Sequence, residues 1–190
     1  NSDASIVAEY ISRGETKSIH SKIYLANYGH CIEHKYFKPG NSVQVIETEL
    51  GKIAILICED AWHLTTSVLA AQMGADIIVF SSASSVIDPK DLSEMKFGWE
   101  TITSCVGFSQ TCFAIYCNRV GTEKDLTFWG GSHLVSPSGT ILKRLPPLEE
   151  RLKHLSLDME ILNSTKEKRP LVLNEKIRFN YEGFKNLLKV

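Results

Sequence analysis

A cysteine, Cys58, stands where an apolar segment meets a charged one. Residues 51–57 are typical of a buried strand, and the residues after Cys58 change at once to a charged, helix-like pattern. A turn from strand to helix would hold the sulfur at the end of a sheet, where backbone N–H groups point towards the group that the sulfur attacks. The pattern fits a buried core cysteine equally well, because free cysteine is among the most buried residue types.

Lys22 is the candidate cation for activating this thiol. A thiol is mostly protonated at neutral pH, so a catalytic cysteine needs a base or a nearby cation to form thiolate. Lys22 lies where a strand has just ended and a long loop begins. At that place it could favour the thiolate and stabilise an oxyanion; the alternative is an ordinary solvated lysine.

Composition excludes several classes of function. The chain has 190 residues, 43% of them hydrophobic and 23% charged, and its net charge is −1. This composition is typical of one globular domain, and the scattered lysines and arginines favour neither a nucleic-acid nor a membrane partner. Apolar runs are shorter than the roughly 20 residues of a membrane span. The five cysteines lack paired CxxC spacing, which argues against a disulfide scaffold and favours a cytoplasmic location.

Strands and helices are predicted to alternate along the chain and then to give way to hairpins. The predicted strands are 1–11 and 15–19, which form a hairpin, then 43–47, 52–57, 75–80, 113–117, 127–139 (a strand and a turn), 140–145 and 155–158; the predicted helices are 63–73, 91–110 and a short one from residue 160. Residues 20–41 read as a long functional loop and the end of the chain as an irregular tail. This order predicts a layered α/β fold.

No metal site or cofactor is predicted. His30, Cys31 and His34 resemble ligands, but their spacing matches no standard zinc pattern and a fourth ligand is not evident.

Six motifs occur in order across nearly the whole chain. They are Lys22-Ile-Tyr-Leu25; Asn27-Tyr-Gly29 with Glu33; Tyr36-Phe37 with Pro39-Gly40; Ile57-Cys-Glu-Asp-Ala-Trp62; Asn118-Arg-Val-Gly121; and Phe128-Trp-Gly-Gly-Ser132 with Ser136-Pro-Ser-Gly139. Together they resemble the nitrilase, or carbon-nitrogen hydrolase, superfamily. The loop over residues 22–37 is most similar to amidases and to the glutaminase domain of glutamine-dependent NAD synthetases. The resemblance implies a four-layer αββα sandwich.

The resemblance also implies roles for particular residues. Cys58 matches the nucleophile, which would attack an amide or nitrile carbon and form a thioester. Lys22 matches the lysine that stabilises the oxyanion together with the backbone N–H of Glu59. Glu33 matches a carboxylate that fixes the lysine, although a solvated loop glutamate is the alternative. The candidate substrate contacts are Tyr28, Trp62 and Ser82, and Trp62 fits a packing role as well.

One part of the family pattern is not matched. The family's general base is a glutamate upstream of the lysine, whereas the acids before Lys22 are Asp3, Glu9 and Glu15, and none has the expected context. We therefore expect an N-terminally incomplete fold, whose base comes from a further segment or a separate chain; a degenerate homologue without the base is the alternative. Loss of the general base lowers the catalytic rate by roughly a hundredfold or more, so we expect weak activity from this chain alone.

The predicted function is hydrolysis of a non-peptide carbon-nitrogen bond, converting a small-molecule amide to carboxylate and ammonia. An inactive scaffold protein with the same fold and, more weakly, a cysteine-based redox protein are the alternatives. Residues 1–162 are predicted to form the hydrolase domain. Residues 163–190 are predicted to form a tail that contacts another copy in a homo-oligomer.

Overall fold

The computed structural model describes residues 3–188, in which eleven strands and four α-helices are found. The strands are β1 (Val7–Ser12), β2 (Glu15–Ser21), β3 (Val45–Thr48), β4 (Gly51–Ile57), β5 (Ile77–Ser82), β6 (Ser85–Val86), β7 (Phe113–Asn118), β8 (Val120–Glu123), β9 (Leu126–Trp129), β10 (His133–Val135) and β11 (Ile141–Arg144). The helices are α1 (Leu64–Gln72), α2 (Leu92–Ser109), α3 (Met159–Lys168) and α4 (Ile177–Leu188). None of these helices has the length and apolarity to cross a membrane.

A six-stranded mixed sheet forms the centre of the fold, in the order β11-β10-β7-β5-β4-β3. Its middle strands β4, β5 and β7 are parallel, because α1 and α2 carry the chain back across the sheet between them. The carboxyl ends of these strands therefore meet at one edge. Cys58 follows β4 there, Ser82 ends β5 and Asn118 ends β7.

The central sheet is buried on both faces, as expected for parallel strands with helical crossovers. On one face, Trp99 of α2 stacks on Tyr116 of β7 with ring centroids 4.3 Å apart, and Leu56 and Phe80 pack in the same cluster. On the other face, the cluster comprises Ile53, Ile77, Phe113, Leu134 and Leu162, the last of which lies on α3. Successive side chains of a strand point to opposite faces of the sheet, so β4, β5, β7 and β10 each contribute residues to both clusters.

Smaller sheets flank this core. Strands β1 and β2 pair as the antiparallel hairpin predicted from the sequence. Strands β6, β9 and β8 form a three-stranded sheet.

The C-terminal part differs from the prediction. Residues 155–158 form no strand; instead, the Asp158 side chain accepts hydrogen bonds from the N–H groups of Glu160 and Ile161 and begins α3. The tail is not irregular either, since it contains α4. Spacing of Ile177, Tyr181 and Phe184 at i, i+4 and i+7 gives α4 an apolar face.

The central cluster should dominate stability. Leu56 is fully buried, so Leu56→Ala should lower the free energy of unfolding by about 2–5 kcal/mol in a urea titration of the full-length protein. Leu152→Ala is the control, because Leu152 is 84% exposed and its loss should change stability by no more than about 0.5 kcal/mol. Equal effects of the two substitutions would contradict this description of the core.

Candidate active site

Cys58 occupies a sharp turn at the carboxyl edge of the sheet. Strand β4 ends at Ile57, and a 3-10 helix over Cys58–Trp62 begins immediately. Cys58 has a φ of 44°, in the left-handed region that residues other than glycine rarely adopt. Such strained conformations cluster at functional sites and persist when surrounding contacts enforce them. The turn presents a half-buried thiol at the end of the sheet, as the sequence pattern predicted.

Asp60 supplies contacts that enforce this turn. Its side chain is fully buried, and both carboxylate oxygens accept hydrogen bonds. The donors, at 2.9 to 3.0 Å, are the backbone N–H groups of Ile23, Tyr24 and Ile57 and the Nε2 atom of His20. Asp60 therefore ties segment 20–24, which contains Lys22, to the turn that contains Cys58.

Lys22 and Glu33 form an ion pair that lines the pocket. The Lys22 Nζ atom donates to both Glu33 oxygens, at 2.7 and 2.8 Å, and the lysine is only 2% exposed. Glu33 also accepts from the backbone N–H of Ala26 at 2.7 Å. Bidentate pairing of this kind fixes an ammonium group that would otherwise be costly to bury.

The candidate residues surround an open cavity of about 1110 Å³. This volume lies slightly above the roughly 300–1,000 Å³ usual for small-molecule sites. Six of the predicted site residues line this cavity: Lys22, Tyr28, Glu33, Cys58, Trp62 and Ser82. Glu59, the seventh predicted residue, does not line the cavity; its carboxylate accepts a hydrogen bond from the Tyr28 hydroxyl at 2.5 Å. The pocket thus brings together the residues that the sequence separated by up to 60 positions (22 to 82).

Trp62 lies between the cavity and the core, and its contact with a substrate stays a prediction. Its ring lines the cavity and also packs against Trp99, with ring centroids 4.9 Å apart.

The environment of Cys58 favours the protonated thiol. Burial raises the pKa of Cys58; a hydrogen bond from Ser82 Oγ to Cys58 Sγ, at 3.4 Å, and the charge of Lys22 act in the opposite direction, while Glu33 and Glu59 raise the pKa further. The pKa remains above its ordinary value, so most of the thiol is protonated at neutral pH. Attack by this sulfur therefore requires a proton acceptor.

The described carboxylates do not bond to that thiol. Within residues 3–188, Glu33, Asp91 and Glu94 are the acids that line the pocket, and none donates to or accepts from Cys58 Sγ in a hydrogen bond. The acids upstream of Lys22 pair elsewhere: Asp3 with Lys38, Glu9 with Thr16, and Glu15 with Lys17. Over the same part of the chain, no group of three His, Cys, Asp or Glu side chains could hold a metal ion.

Asp60 was not predicted to belong to the site, although it stands within the recognised motif Ile57-Cys-Glu-Asp-Ala-Trp62. A signal for Asp60 was available, because an aspartate between a buried strand and the apolar Ala61 must find several donors if it is buried.

Comparisons with known proteins agree with this fold and site. Residues 7–167 match the sequence profile described as carbon-nitrogen hydrolase. The glutamine-dependent NAD(+) synthetase of Aquifex aeolicus is 34% identical over 164 residues, 86% of this chain and 28% of that protein. The deaminated glutathione amidase of Mus musculus is 29% identical over 147 residues, 76% of this chain and 42% of that protein. The chain spans 28%, 27% and 50% of the length of three curated relatives.

Solved structures show the same fold. A carbon-nitrogen hydrolase from Helicobacter pylori G27 superposes with a TM-score of 0.82 at 24% identity, over 90% of this chain and 62% of that one. A Saccharomyces cerevisiae protein, Nit3, described as a member of branch 10 of the nitrilase superfamily, superposes with a TM-score of 0.72 at 21% identity, over 87% of this chain and 56% of that one.

The chain belongs to the carbon-nitrogen hydrolase family. Its α/β fold is of the nitrilase type, as predicted, and its relatives include amidases, a nitrilase and NAD synthetases. The individual site roles and the domain boundary at residue 162 stay predictions.

Asp60 can be tested by a nearly isosteric change. In Asp60→Asn, one carboxylate oxygen becomes an NH₂ group that faces N–H donors, so the free energy of unfolding should fall by about 2–5 kcal/mol in a urea titration. Asp125→Asn, an exposed charge-matched control, should stay within about 0.5 kcal/mol of the wild type. Equal stability of the two variants would show that Asp60 does not hold the turn.

Proposed function

We propose that this chain carries the nucleophile and oxyanion-binding groups of an amidase that cleaves a small carboxamide through a thioester on Cys58. The observation that carries the proposal is the strained Cys58 turn facing the same cavity as the buried Lys22–Glu33 pair. Family membership and the amidases among the relatives support the same chemistry.

In the first half-reaction, Cys58 Sγ attacks the amide carbon and its thiol proton passes to a base. The carbonyl oxygen gains negative charge, which the Lys22 ammonium and the backbone N–H of Glu59 stabilise. Glu59 lies in the first turn of the 3-10 helix, where N–H groups have no partner within the helix. The tetrahedral intermediate then expels ammonia, which takes up the proton, and leaves an acyl thioester.

In the second half-reaction, a water molecule attacks the thioester carbon. The base takes a proton from this water, the carbon–sulfur bond breaks, and the carboxylic acid leaves as Cys58 regains its proton. Lys22 and Glu59 stabilise the same oxygen again, since both steps pass through a tetrahedral oxyanion. Glu33 holds the ammonium in place throughout through its two hydrogen bonds.

The pocket suits a small amide. The Tyr28 hydroxyl, the Ser82 hydroxyl and the Trp62 ring are the contacts proposed for the part of the substrate beyond the amide carbon. Tyr28 stays protonated, because burial and its hydrogen bond to Glu59 raise its pKa. Glutamine is one such carboxamide, in keeping with the name of the NAD(+) synthetase relatives.

The proton acceptor is proposed to be a carboxylate contributed by a segment or chain other than these residues. Support comes from the absence of any hydrogen-bonded carboxylate at Cys58 within residues 3–188 and from the raised pKa of its thiol. The present residues alone should then hydrolyse amides poorly.

The chemistry is tested by ammonia release from a panel of carboxamides by the full-length protein, assayed together with the segment or chain that is proposed to supply the base. Cys58→Ala should reduce kcat/KM by at least about a thousandfold, and Lys22→Met by about a hundredfold or more. Lys143→Met is the matched control and should retain wild-type activity, since Lys143 is exposed and lies outside the pocket. Activity that survives Cys58→Ala would refute the thioester route, and a wild type without activity would favour the scaffold alternative.

We further propose that residues 163–190 contact a second copy of the chain. On the apolar face of α4, Ile177 is 59%, Tyr181 is 60% and Phe184 is 55% exposed, and no described residue of that helix is buried. Contiguous exposed apolar side chains are typical of interaction surfaces.

This contact should be visible in solution. Light scattering of the full-length protein should give a dimer or a larger assembly, and Ile177→Glu with Phe184→Glu, which place charges on the apolar face of α4, should shift it towards the monomer. Lys185→Glu on the same helix should leave the assembly intact. A wild-type monomer would contradict the proposal.

A further inference from the structure

Asn118 ends β7 directly beside Ser82 at the end of β5, where the two residues are register partners of the parallel pair. Its side chain makes three hydrogen bonds. Oδ1 accepts from the Ser84 N–H at 2.8 Å, and Nδ2 donates to the carbonyl oxygens of Ser84 at 3.2 Å and Gly130 at 3.1 Å. Asn118 therefore holds both polar groups of one backbone residue in the loop that follows β5.

This loop carries the pocket wall next to the nucleophile. Residues 81–87 line the cavity, whereas the Asn118 side chain does not. Other contacts also hold this segment. The Ser82 carbonyl accepts from the Arg119 N–H at 2.9 Å, the Ser84 hydroxyl accepts from Trp99 Nε1 at 3.0 Å and from Trp129 Nε1 at 3.4 Å, and β6 pairs with β9. From the loop held in this way, Ser82 Oγ reaches Cys58 Sγ at 3.4 Å.

We infer that Asn118 is a positioning residue for the nucleophile, which acts by holding the Ser84 backbone, and with it the adjoining end of β5, so that the Ser82 hydroxyl donates to Cys58 Sγ. The inference rests on the proposed amide hydrolysis for its meaning in catalysis. A donor at the sulfur stabilises the thiolate over the thiol, since the hydrogen bond is stronger to the charged form. Loss of Asn118 should therefore act on Cys58 without any contact between the two side chains.

The sign of the effect on the thiol follows from the contacts. The hydrogen bond from Ser82 lowers the pKa of Cys58 against the larger effect of burial. When the loop is released, this opposing contribution is lost and the pKa of the thiol rises further. Less thiolate is then present at pH 8, whereas at a pH well above the pKa the thiol is ionised in every variant.

The test is the rate of iodoacetamide labelling of Cys58 as a function of pH, followed by mass spectrometry of the Cys58 peptide from the full-length protein. Asn118→Ala should slow labelling at pH 8 by about three- to tenfold, the factor carried by one hydrogen bond, and its rate should approach the wild-type rate at the highest pH. Asn118→Ser, which keeps a side-chain hydroxyl, should give a smaller shift and serves if the alanine variant does not fold.

Two comparisons separate positioning from a general loss of structure. Ser82→Ala should produce a similar pH shift, and adding Asn118→Ala to it should slow labelling by no more than about twofold further, because both changes remove the same contact. Gln72→Ala is the matched control: it removes an amide hydrogen bond to the Val172 carbonyl, at 2.7 Å, outside the pocket, and should leave the profile unchanged.

An Asn118→Ala profile that superimposes on the wild-type profile would overturn the inference. So would a double variant, Ser82→Ala with Asn118→Ala, whose labelling is slowed by the product of the two single effects. Failure of the proposed hydrolysis is a separate result. If the wild type releases no ammonia but the labelling profiles shift as described, the positioning role stands and the amidase proposal falls.

Discussion

The buried carboxylate of Asp60 is the interaction on which the site depends. It accepts hydrogen bonds from three backbone N–H groups and from His20, so a charge that would be costly to bury alone is fully satisfied. Its donors come from two distant segments, 20–24 and the end of β4. The charge can therefore be buried only when both segments are in place, which couples the position of Lys22 to the turn at Cys58.

Parallel strand topology provides the second constraint. Because β4, β5 and β7 run in the same direction, their carboxyl ends, and the residues that follow them, lie at one edge of the sheet. Each contributes a different function to the proposed chemistry. Cys58 would supply the sulfur, Ser82 donates a hydrogen bond to it, and Asn118 holds the backbone of Ser84, two residues beyond Ser82. The Lys22–Glu33 pair adds a fixed cation without leaving a net charge in the pocket wall.

Local patterns predicted much of this arrangement. The apolar run of β4 and the abrupt change after Cys58 indicated the turn, and the hairpin β1–β2 and the crossover helices α1 and α2 followed from period and turn residues. Residues 155–158 were predicted wrongly, because the local alternation of Leu155 and Leu157 resembles a strand while the Asp158 cap begins a helix. Asp60 and Asn118 escaped notice, since their importance comes from long-range backbone partners that no local pattern displays.

The proposed function requires a covalent acyl group on Cys58, which the mass of the protein during turnover would reveal. Acid quenching of the full-length protein with a carboxamide substrate, followed by peptide mass spectrometry, should show the Cys58 peptide heavier by the acyl group minus one hydrogen. Hydroxylamine should remove this adduct. Sustained ammonia release with no adduct on Cys58, when quenched at times that span a single turnover, would contradict the account.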